Sequence, residues 1–413
     1  MPSPKCREVQ NRTKKLESHL GEQRIAEVEK GDEMNRKEIR EIKKRIRPEM
    51  DNFGHIYGCY VNAGREIVSN MDMQIIQMTA EEKEMYSNIF RKTLSGGLGR
   101  NLMDIEFATS QVENSDEHRL LQGLRMSGLE DINLRNVLYR RIIEVLDPGE
   151  TGYVILLLAD SYDVPYKANG DEAWDEDSTD QYDYFICSIC PVKDSKATLR
   201  YLAEDRQFRG AGTGSVLGLP QSGFLFPAFD GRATNIYSAL YYSKSSSEIH
   251  EELIQAIFHT ERTPIAAERQ HDAFGSALSD ALEEECRLDV IQAVHAGIRE
   301  RIAAHKESKD PNAPAILIDE VGEILKDGGV SDERVADFRQ VCRKYFEDED
   351  VLNPSNIIPS GKFKVHTPEA DIAVDPDQVY SIRTQVIDGR EYLLIPMCEG
   401  VTVNGVDVAL KNE

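Results

Sequence analysis

Two uninterrupted apolar runs lie near the centre of the chain, one from Tyr153 to Ala159 and the other from Tyr184 to Pro191. Because the first run is apolar at every position, its periodicity fits both a strand covered on two faces and a buried helix. Its short length and the preceding Asp147-Pro148-Gly149 favour the strand. We therefore predict a strand pair between Thr151 and Lys193, around which a sheet grows.

Alternating apolar positions and turn residues predict further strands. Leu102 to Phe107 alternates, and Asp230-Gly231-Arg232 separates two β-rich runs that we assign to the same sheet. Beyond Asn353 the pattern is β again, with hairpin turns at Asp388-Gly389 and Asn404-Gly405. The other predicted strands are Ile56 to Val61, Glu66 to Ser69, Phe224 to Phe229 and Asn235 to Tyr242.

Helical periodicity occurs in several parts of the chain. Thr79 and Glu82 form a capping box, and we expect the following helix to direct Met85, Ile89, Phe90 and Leu94 inward. From Ser247 the period is helical again, and we expect Pro264 to be the first residue of one helix. A small helix-turn-helix is predicted from Asp319 to Phe346, a geometry that by itself does not indicate DNA binding.

These elements predict an α+β protein with a mixed or antiparallel sheet. We expect an α+β sheet domain over 34–246, a helical region over 247–350 with a linker near 307–314, and a small β domain over 353–413. Residues 1–33 are expected to be a disordered or non-native extension. Codons for Lys30 to Glu33 can contain a ribosome-binding sequence, so we expect translation to begin at Met34; the alternative is a short charged helix or coil.

Composition narrows the class of protein. The formal net charge of -24 over 413 residues argues against a generally basic nucleic-acid coat and against electrostatic binding to membranes. The sequence contains no apolar stretch long enough to span a bilayer and no signal-peptide core. Its seven scattered cysteines favour reduced thiols. We therefore expect a cytoplasmic protein without a membrane partner.

One strongly basic element stands out in this acidic chain. From Asn35 to Arg47, three isoleucines form an apolar stripe, and Pro48 ends the pattern. The cations of this helix are candidates for contacts with nucleic-acid phosphates. The alternative, which the net charge favours, is an amphipathic helix whose basic side pairs with the protein's own acids. The candidate residues are Arg36, Lys37, Arg40, Lys43, Lys44, Arg45 and Arg47.

The sequence contains only partial matches to motifs for catalysis or metal binding. Cys187 and Cys190 have redox-pair spacing but lie in a β run, where alternation sends the two sulfurs to opposite faces. The acidic stretch from Asp160 to Asp183, which contains Trp174, lacks calcium-loop spacing and favours a solvated loop. Glu268 and His271 match half of a di-iron motif, and Gly210 to Gly214 misses the dinucleotide fingerprint. We expect no catalytic residue, metal or cofactor.

Several stretches of the sequence match a known family. From Met34 onward the chain resembles the bacterial domain-of-unknown-function 4317 family, and the resemblance implies no activity and no catalytic residue. In the order of its elements alone, the chain is also similar to the bacterial nucleoid-associated protein family, which implies DNA binding through the basic helix. The matching stretches of the first family are Gly58 to Asn62, Thr93 to Phe107, Asp163 to Lys167, Cys187 to Lys193, Phe226 to Asp230 and His305 to Pro311.

Three functions follow from the sequence, in order. The first is a non-enzymatic binding or assembly protein, with a protein or DNA partner and oligomerisation open. The second is a nucleoid-associated DNA-binding protein. The third is a metal-dependent hydrolase or nuclease that uses a non-motif acid set, for example Asp104 and Glu106 with Asp160.

Overall fold

The predicted central strand pair lies in the middle of an antiparallel sheet. The computed structural model describes residues 33–165, 180–195, 198–202, 207–211, 214–347, 349–359, 361–396, 401–403 and 405–407. Helices and a mainly antiparallel sheet together confirm the α+β class. The described helices are α1 (Arg36–Arg45), α2 (Ala80–Thr93), α3 (Thr109–Asn114), α4 (Asp116–Met126), α5 (Ile132–Val145), α6 (Glu251–Phe258), α7 (Ala267–Leu282), α8 (Leu288–Ser308), α9 (Ile318–Asp327), α10 (Asp332–Tyr345) and α11 (Pro354–Ile357).

Within the described residues, eight strands form the main sheet, in the order β2-β1-β4-β5-β9-β12-β3, with β8 paired to the end of β5. These strands are β1 (His55–Val61), β2 (Ile67–Gln74), β3 (Leu102–Glu106), β4 (Tyr153–Val164), β5 (Asp180–Ser195), β8 (Gly214–Leu217), β9 (Ser222–Phe226) and β12 (Ser238–Ser243). Two short pairs lie off this path: β6 (Thr198–Leu202) with β7 (Gln207–Ala211), and β10 (Ala228–Asp230) with β11 (Ala233–Asn235).

The sheet is buried on both faces, which explains why the Tyr153 to Ala159 run is continuously apolar. Ile155 and Leu157 belong to the core that packs with α4, α5 and α6, whereas Leu156 and Leu158 belong to the core that packs with α1 and α2. Such runs are typical of parallel sheets, because those are usually covered on both sides. In this protein an antiparallel sheet is likewise covered by helices on both faces.

Two compact units contain the described chain. The sheet unit comprises Lys30–Ala267 together with Pro311–Ala313, and the amide of Arg36 donates a hydrogen bond to the carbonyl of Pro311 at 2.9 Å. The second unit comprises Glu268–Asp310 and Pro314–Glu413. These units are defined by packing and not by sequence boundaries. The domain boundaries predicted from the sequence therefore stay a prediction.

The second unit has its own core and its own small strands. The predicted helix-turn-helix is present as α9 and α10, and its core includes Val294, Val321 and Phe338. The strands pair as β13 (Ile316–Leu317) with β14 (Val351–Leu352), β15 (Phe363–His366) with β16 (Asp371–Val374), β17 (Arg383–Ile387) with β18 (Arg390–Leu394), and β19 (Thr402–Val403) with β20 (Val406–Asp407). The predicted hairpin at Asp388-Gly389 is thereby confirmed.

The inward face predicted for α2 is partly wrong. Ile89, Phe90 and Leu94 are buried, but Met85 is 60% exposed. Small polar residues also connect this helix to the sheet, because Thr93 and Ser188 are fully buried and their hydroxyl oxygens are 2.7 Å apart. Small side chains allow the helix to approach a strand more closely than a methionine would.

Two boundaries also differ from the prediction. Pro264 is not the first residue of a helix, because α7 begins at Ala267. The stretches predicted as two long strands each break in two: the cis peptide bond between Phe226 and Pro227 separates β9 from β10, and a turn separates β11 from β12. Only β9 and β12 of these four strands belong to the main sheet, where they are neighbours.

Candidate nucleic-acid interface

The basic helix predicted from the sequence is α1, and its ends are set by local chemistry. The side chain of Asn35 accepts hydrogen bonds from the amides of Lys37 and Glu38, and the carboxylate of Glu38 accepts one from the amide of Asn35, which completes a capping box. Cations in the last turn of a helix are favourable there because that end carries partial negative charge. The stripe of Ile39, Ile42 and Ile46 is buried, so the helix lies on the sheet.

One candidate residue, Arg45, forms an ion pair inside the protein. Its guanidinium donates to Asp160 through Nε at 2.5 Å and through Nη2 at 3.0 Å. The Asp160 side chain is 2% exposed, and it also accepts from the buried hydroxyl of Tyr184 at 2.9 Å. The Arg45 guanidinium also lies 4.3 Å from the ring centroid of Tyr162. For this residue, the alternative of internal pairing with the protein's own acid applies.

A second ion pair fixes the same side of α1. Glu41 accepts from Arg232 at 2.7 Å and from the hydroxyl of Tyr162 at 2.8 Å. The other end of the Arg232 guanidinium donates to the carbonyl of Pro165 at 2.7 Å. The helix is therefore held to β4 and to the β10–β11 turn by partly buried charges, and its orientation on the sheet is fixed.

The remaining candidate cations face away from the sheet. Arg36, Lys37, Arg40, Lys44 and Arg47 are exposed, and Lys43 is half-buried. Arg36, Arg40 and Lys43 recur at i, i+4 and i+7, which places them along one side of α1, and Arg47 follows two residues after the helix ends. We call these four residues the basic stripe. In the part of the chain that the structure describes, no carboxylate forms an ion pair with any of the four.

Two cations that the sequence analysis missed lie beside the stripe. Arg91 and Lys92 occupy the last turn of α2, directly before the Ser95 to Gly97 loop, and Arg91 donates to the carbonyls of Lys43 at 3.2 Å and Ile46 at 3.0 Å. Burial lowers the pKa of Lys43, and the positive charges of Arg91, Lys92 and Arg40 lower it further. The adjacent basic pair before a glycine-rich turn was the available signal, but its proximity to α1 depends on long-range packing.

The acid set proposed for hydrolysis does not converge. Asp104 and Glu106 lie on β3, at the edge of the sheet, whereas Asp160 lies on β4; strands β5, β9 and β12 separate them. Asp104 accepts a hydrogen bond from the amide of Met34 at 3.2 Å. Burial raises the pKa of Asp104 to about 8, and the charges of Glu33 and Asp230 contribute to the rise. Among the described residues, no group of three or more histidines, cysteines or acids could hold a metal ion.

Cys187 and Cys190 are buried on opposite faces of β5, as alternation predicts. Cys187 belongs to the core on the α4–α6 side and Cys190 to the core on the α1–α2 side. Burial raises the pKa of Cys190 to about 12 and that of Cys187 well above its usual value. Thiols with such raised pKa values are poor nucleophiles, since the thiolate is the reactive form.

The expectation of a solvated acidic loop is wrong at both of its ends. Asp160 and Asp163 belong to β4, and Asp180 and Asp183 belong to β5, so the strands continue into the acidic stretch. The centre of the stretch, with Trp174, lies outside the described residues, as do two residues of the Gly210 to Gly214 motif. Glu268 and His271 are exposed.

The fold and this site define an α+β protein that carries a cationic helix across one face of a doubly covered sheet. The chain belongs to the family described as domain of unknown function (DUF4317), whose model matches residues 34–406. No curated protein matches the chain. Within its described residues, the chain has no helix that is long and apolar enough to cross a membrane.

Proposed function

We propose that this protein is a non-enzymatic cytoplasmic binding protein whose basic stripe contacts the phosphate backbone of nucleic acid. The observation that carries the proposal is the stripe itself. Arg36, Arg40 and Lys43 lie along one side of α1 and Arg47 just after its end, and no carboxylate is paired to these four cations in the described chain. The buried, unreactive thiols at Cys187 and Cys190 support a reducing compartment.

The dimensions of the stripe fit a nucleic-acid backbone. The α1 helix from Arg36 to Arg45 spans about 14 Å at the helical rise of ~1.5 Å per residue, and Arg47 extends the row by two further residues. Over that length one DNA strand presents about five phosphates at ~3.4 Å of axial rise each. The four cations therefore lie within reach of this run of phosphates. Phosphate contacts of this kind position a protein but do not read bases, so we expect binding without sequence preference.

The net charge of -24 opposes this association but does not abolish it. At physiological ionic strength the Debye length is ~8 Å, so acids elsewhere on the surface are largely screened from a ligand in contact with α1. The expected affinity is that of non-specific binding, with Kd of about 10⁻⁴ to 10⁻⁶ M. Salt should weaken it strongly, because each contact releases a counterion from the nucleic acid.

The test is fluorescence anisotropy of the full chain with a labelled duplex of about 20 base pairs across a salt series. Four contacts predict a slope of log K against log salt of about -3.6, or about a 150-fold loss of affinity between ~50 and ~200 mM salt. The triple variant Arg36→Glu, Arg40→Glu and Arg47→Glu should reduce the slope to about -1 and weaken binding at low salt by at least about tenfold. Arg45 stays unchanged because its ion pair with Asp160 is structural.

A matched control separates the stripe from net charge alone. Lys306, Lys309 and Lys362 are exposed cations of the other unit, and reversing all three changes the net charge by the same amount. The control variant should bind like the unchanged protein. Equal weakening in both variants, or binding that does not respond to salt, would contradict the proposal.

A further inference from the structure

We propose that Arg40, Lys43, Arg91 and Lys92 form a seat for a single phosphate group, at the place where the C-terminal ends of α1 and α2 meet. This inference rests on the proposed function and deepens it, because it assigns one phosphate position and adds two residues from α2. We call these four residues the phosphate seat.

Hydrogen bonds hold the seat together. The ammonium of Lys43 donates to the hydroxyl of Ser95 at 2.6 Å, and that hydroxyl donates to the carbonyl of Arg91 at 2.5 Å. The Arg91 guanidinium binds the last carbonyls of α1 at Lys43 and Ile46. Lys43 thus has a fixed position, and in the described chain Ser95 is the one acceptor of its three ammonium hydrogens.

The charges in the seat exceed what the helix ends can balance. A helix C-terminus carries roughly half a negative charge, so two of them supply about -1. Four cations supply +4, which leaves a surplus of about three positive charges. The pKa of Lys43 is lowered by its burial and by three neighbouring cations, with no acid among the causes. Among the described residues no acidic side chain pairs with these cations, and a cluster of like positive charges attracts an anion.

The ligand class that fits is a phosphate group. Guanidinium groups bind its oxygens in pairs, and an ammonium adds a point charge, so arginine with lysine is a combination suited to phosphate. The group has two sources: a phosphodiester of the nucleic-acid backbone with one charge, or free phosphate with up to two. Both share the same oxygen geometry, and the experiment distinguishes them.

The experiment uses the full chain and inorganic phosphate as the probe. Thermal unfolding is followed in ~20 mM sodium phosphate and in sodium chloride of the same ionic strength, at one pH. Ligand bound to the folded form raises the midpoint, and a millimolar Kd predicts a rise of about 2 °C. Phosphate also stabilises proteins by exclusion from their surface, but that contribution is the same in matched variants. The measured quantity is therefore the difference between the unchanged protein and a variant in how far phosphate raises the unfolding midpoint.

Two variants remove charge from the seat. In Lys43→Gln with Lys92→Gln, two charges are lost while position 43 keeps a polar side chain with an N–H donor. Lys92→Gln alone is the milder second variant, because the Lys92 side chain makes no hydrogen bond to the residues that the structure describes. The control is Lys306→Gln with Lys309→Gln, which changes net charge equally in the other unit. We expect the phosphate-specific rise to be lost in the double seat variant, halved in Lys92→Gln, and retained in the control.

The outcomes separate the seat from the proposed function. A phosphate rise that is absent in the unchanged protein, or equal in the seat variant and the control, overturns the seat as a site for free phosphate. If the double seat variant then also binds duplex DNA normally, the phosphate seat is overturned altogether. Loss of DNA binding in the triple variant of Arg36, Arg40 and Arg47 would still support the proposed function. A rise lost only in the seat variants, without salt-dependent DNA binding, supports the seat with free phosphate as its source and overturns the nucleic-acid proposal.

Discussion

Replacing Asp160 by alanine should destabilise the sheet unit by about 3 kcal/mol. The carboxylate is 2% exposed and accepts hydrogen bonds from the guanidinium of Arg45, from the buried hydroxyl of Tyr184 and, at 3.3 Å, from the side-chain amide of Asn52. A buried donor left without an acceptor costs about 1–3 kcal/mol. Breaking a fully buried ion pair costs about 3–5 kcal/mol, because the remaining charge is uncompensated.

The structure places the expected loss near the lower end of that range. The Arg45 side chain is 23% exposed, so water can reach its guanidinium once Asp160 is gone, and the Tyr162 ring still lies against it. We assign about 1–2 kcal/mol to Arg45 and about 1–2 kcal/mol to the Tyr184 hydroxyl, which no water reaches. Their sum is the ~3 kcal/mol predicted.

Urea unfolding of the full chain, followed by far-ultraviolet circular dichroism, measures this loss. For a slope of about 2–3 kcal/mol per molar urea, the midpoint should fall by about 1 M. Asp163 lies on the same strand but is exposed, so Asp163→Ala should change stability by less than about 0.5 kcal/mol. Equal midpoints for Asp160→Ala and Asp163→Ala would refute the reasoning.

A double-mutant cycle provides a sharper test of the pair. Arg45→Met leaves the Asp160 carboxylate buried without its cation, and Asp160→Leu leaves Arg45 without its anion. The double variant replaces both with apolar groups and should be less destabilised than the sum of the two single variants by at least about 1 kcal/mol. Additive effects would show that the two groups do not act as a pair.

Three further predictions concern buried positions of the sheet unit. Asp104→Asn should gain stability relative to the unchanged protein as the pH rises from about 4 to 8. The pKa of Asp104 in the folded protein, about 8, lies above its ordinary value of 3.8, so the stability that this carboxyl contributes at low pH is lost through that window. A difference in urea midpoints that does not change with pH would contradict this. Cys187 and Cys190 are buried and should resist iodoacetamide until urea unfolds the chain, which peptide mass spectrometry of the labelled protein can measure. Rapid labelling of the folded protein, or an intramolecular disulfide, would count against their burial. Gly223→Ala should destabilise by at least about 2 kcal/mol, because its new Cβ would lie 2.3 Å from the Cys187 carbonyl oxygen, whereas Gly275→Ala, with open space around it, should be neutral or stabilising by urea unfolding.

Local chemistry made part of this fold predictable. The capping box at Thr79 and Glu82 depends on residues three apart, and the structure has both of its hydrogen bonds. The β4–β5 pair follows from two apolar runs, and α1 follows from its isoleucine stripe and Pro48. In each case the deciding residues are near neighbours in the sequence, so the pattern alone contains the information.

Long-range partners were not predictable in the same way. Strand β3 pairs with β12, although more than 130 residues separate Leu102 from its partner Tyr242. The partner of Arg45 lies 115 residues away at Asp160, within a stretch whose composition indicates a solvated loop. Met85 was expected inside because it is apolar, whereas Thr93 and Ser188 form the close contact because they are small. Pairings of this kind depend on which surfaces meet, and a single sequence does not state that.

The hydrogen bond from Arg36 to Pro311 limits how the protein can be dissected. The chain leaves the sheet unit after Ala267 and returns to it for three residues only, from Pro311 to Ala313. A fragment truncated at Ala267 would contain every strand of the main sheet yet would leave the first amide of the basic helix without its acceptor. Deletion series that seek a minimal DNA-binding fragment should therefore retain this short return, for instance by grafting it through a flexible connector.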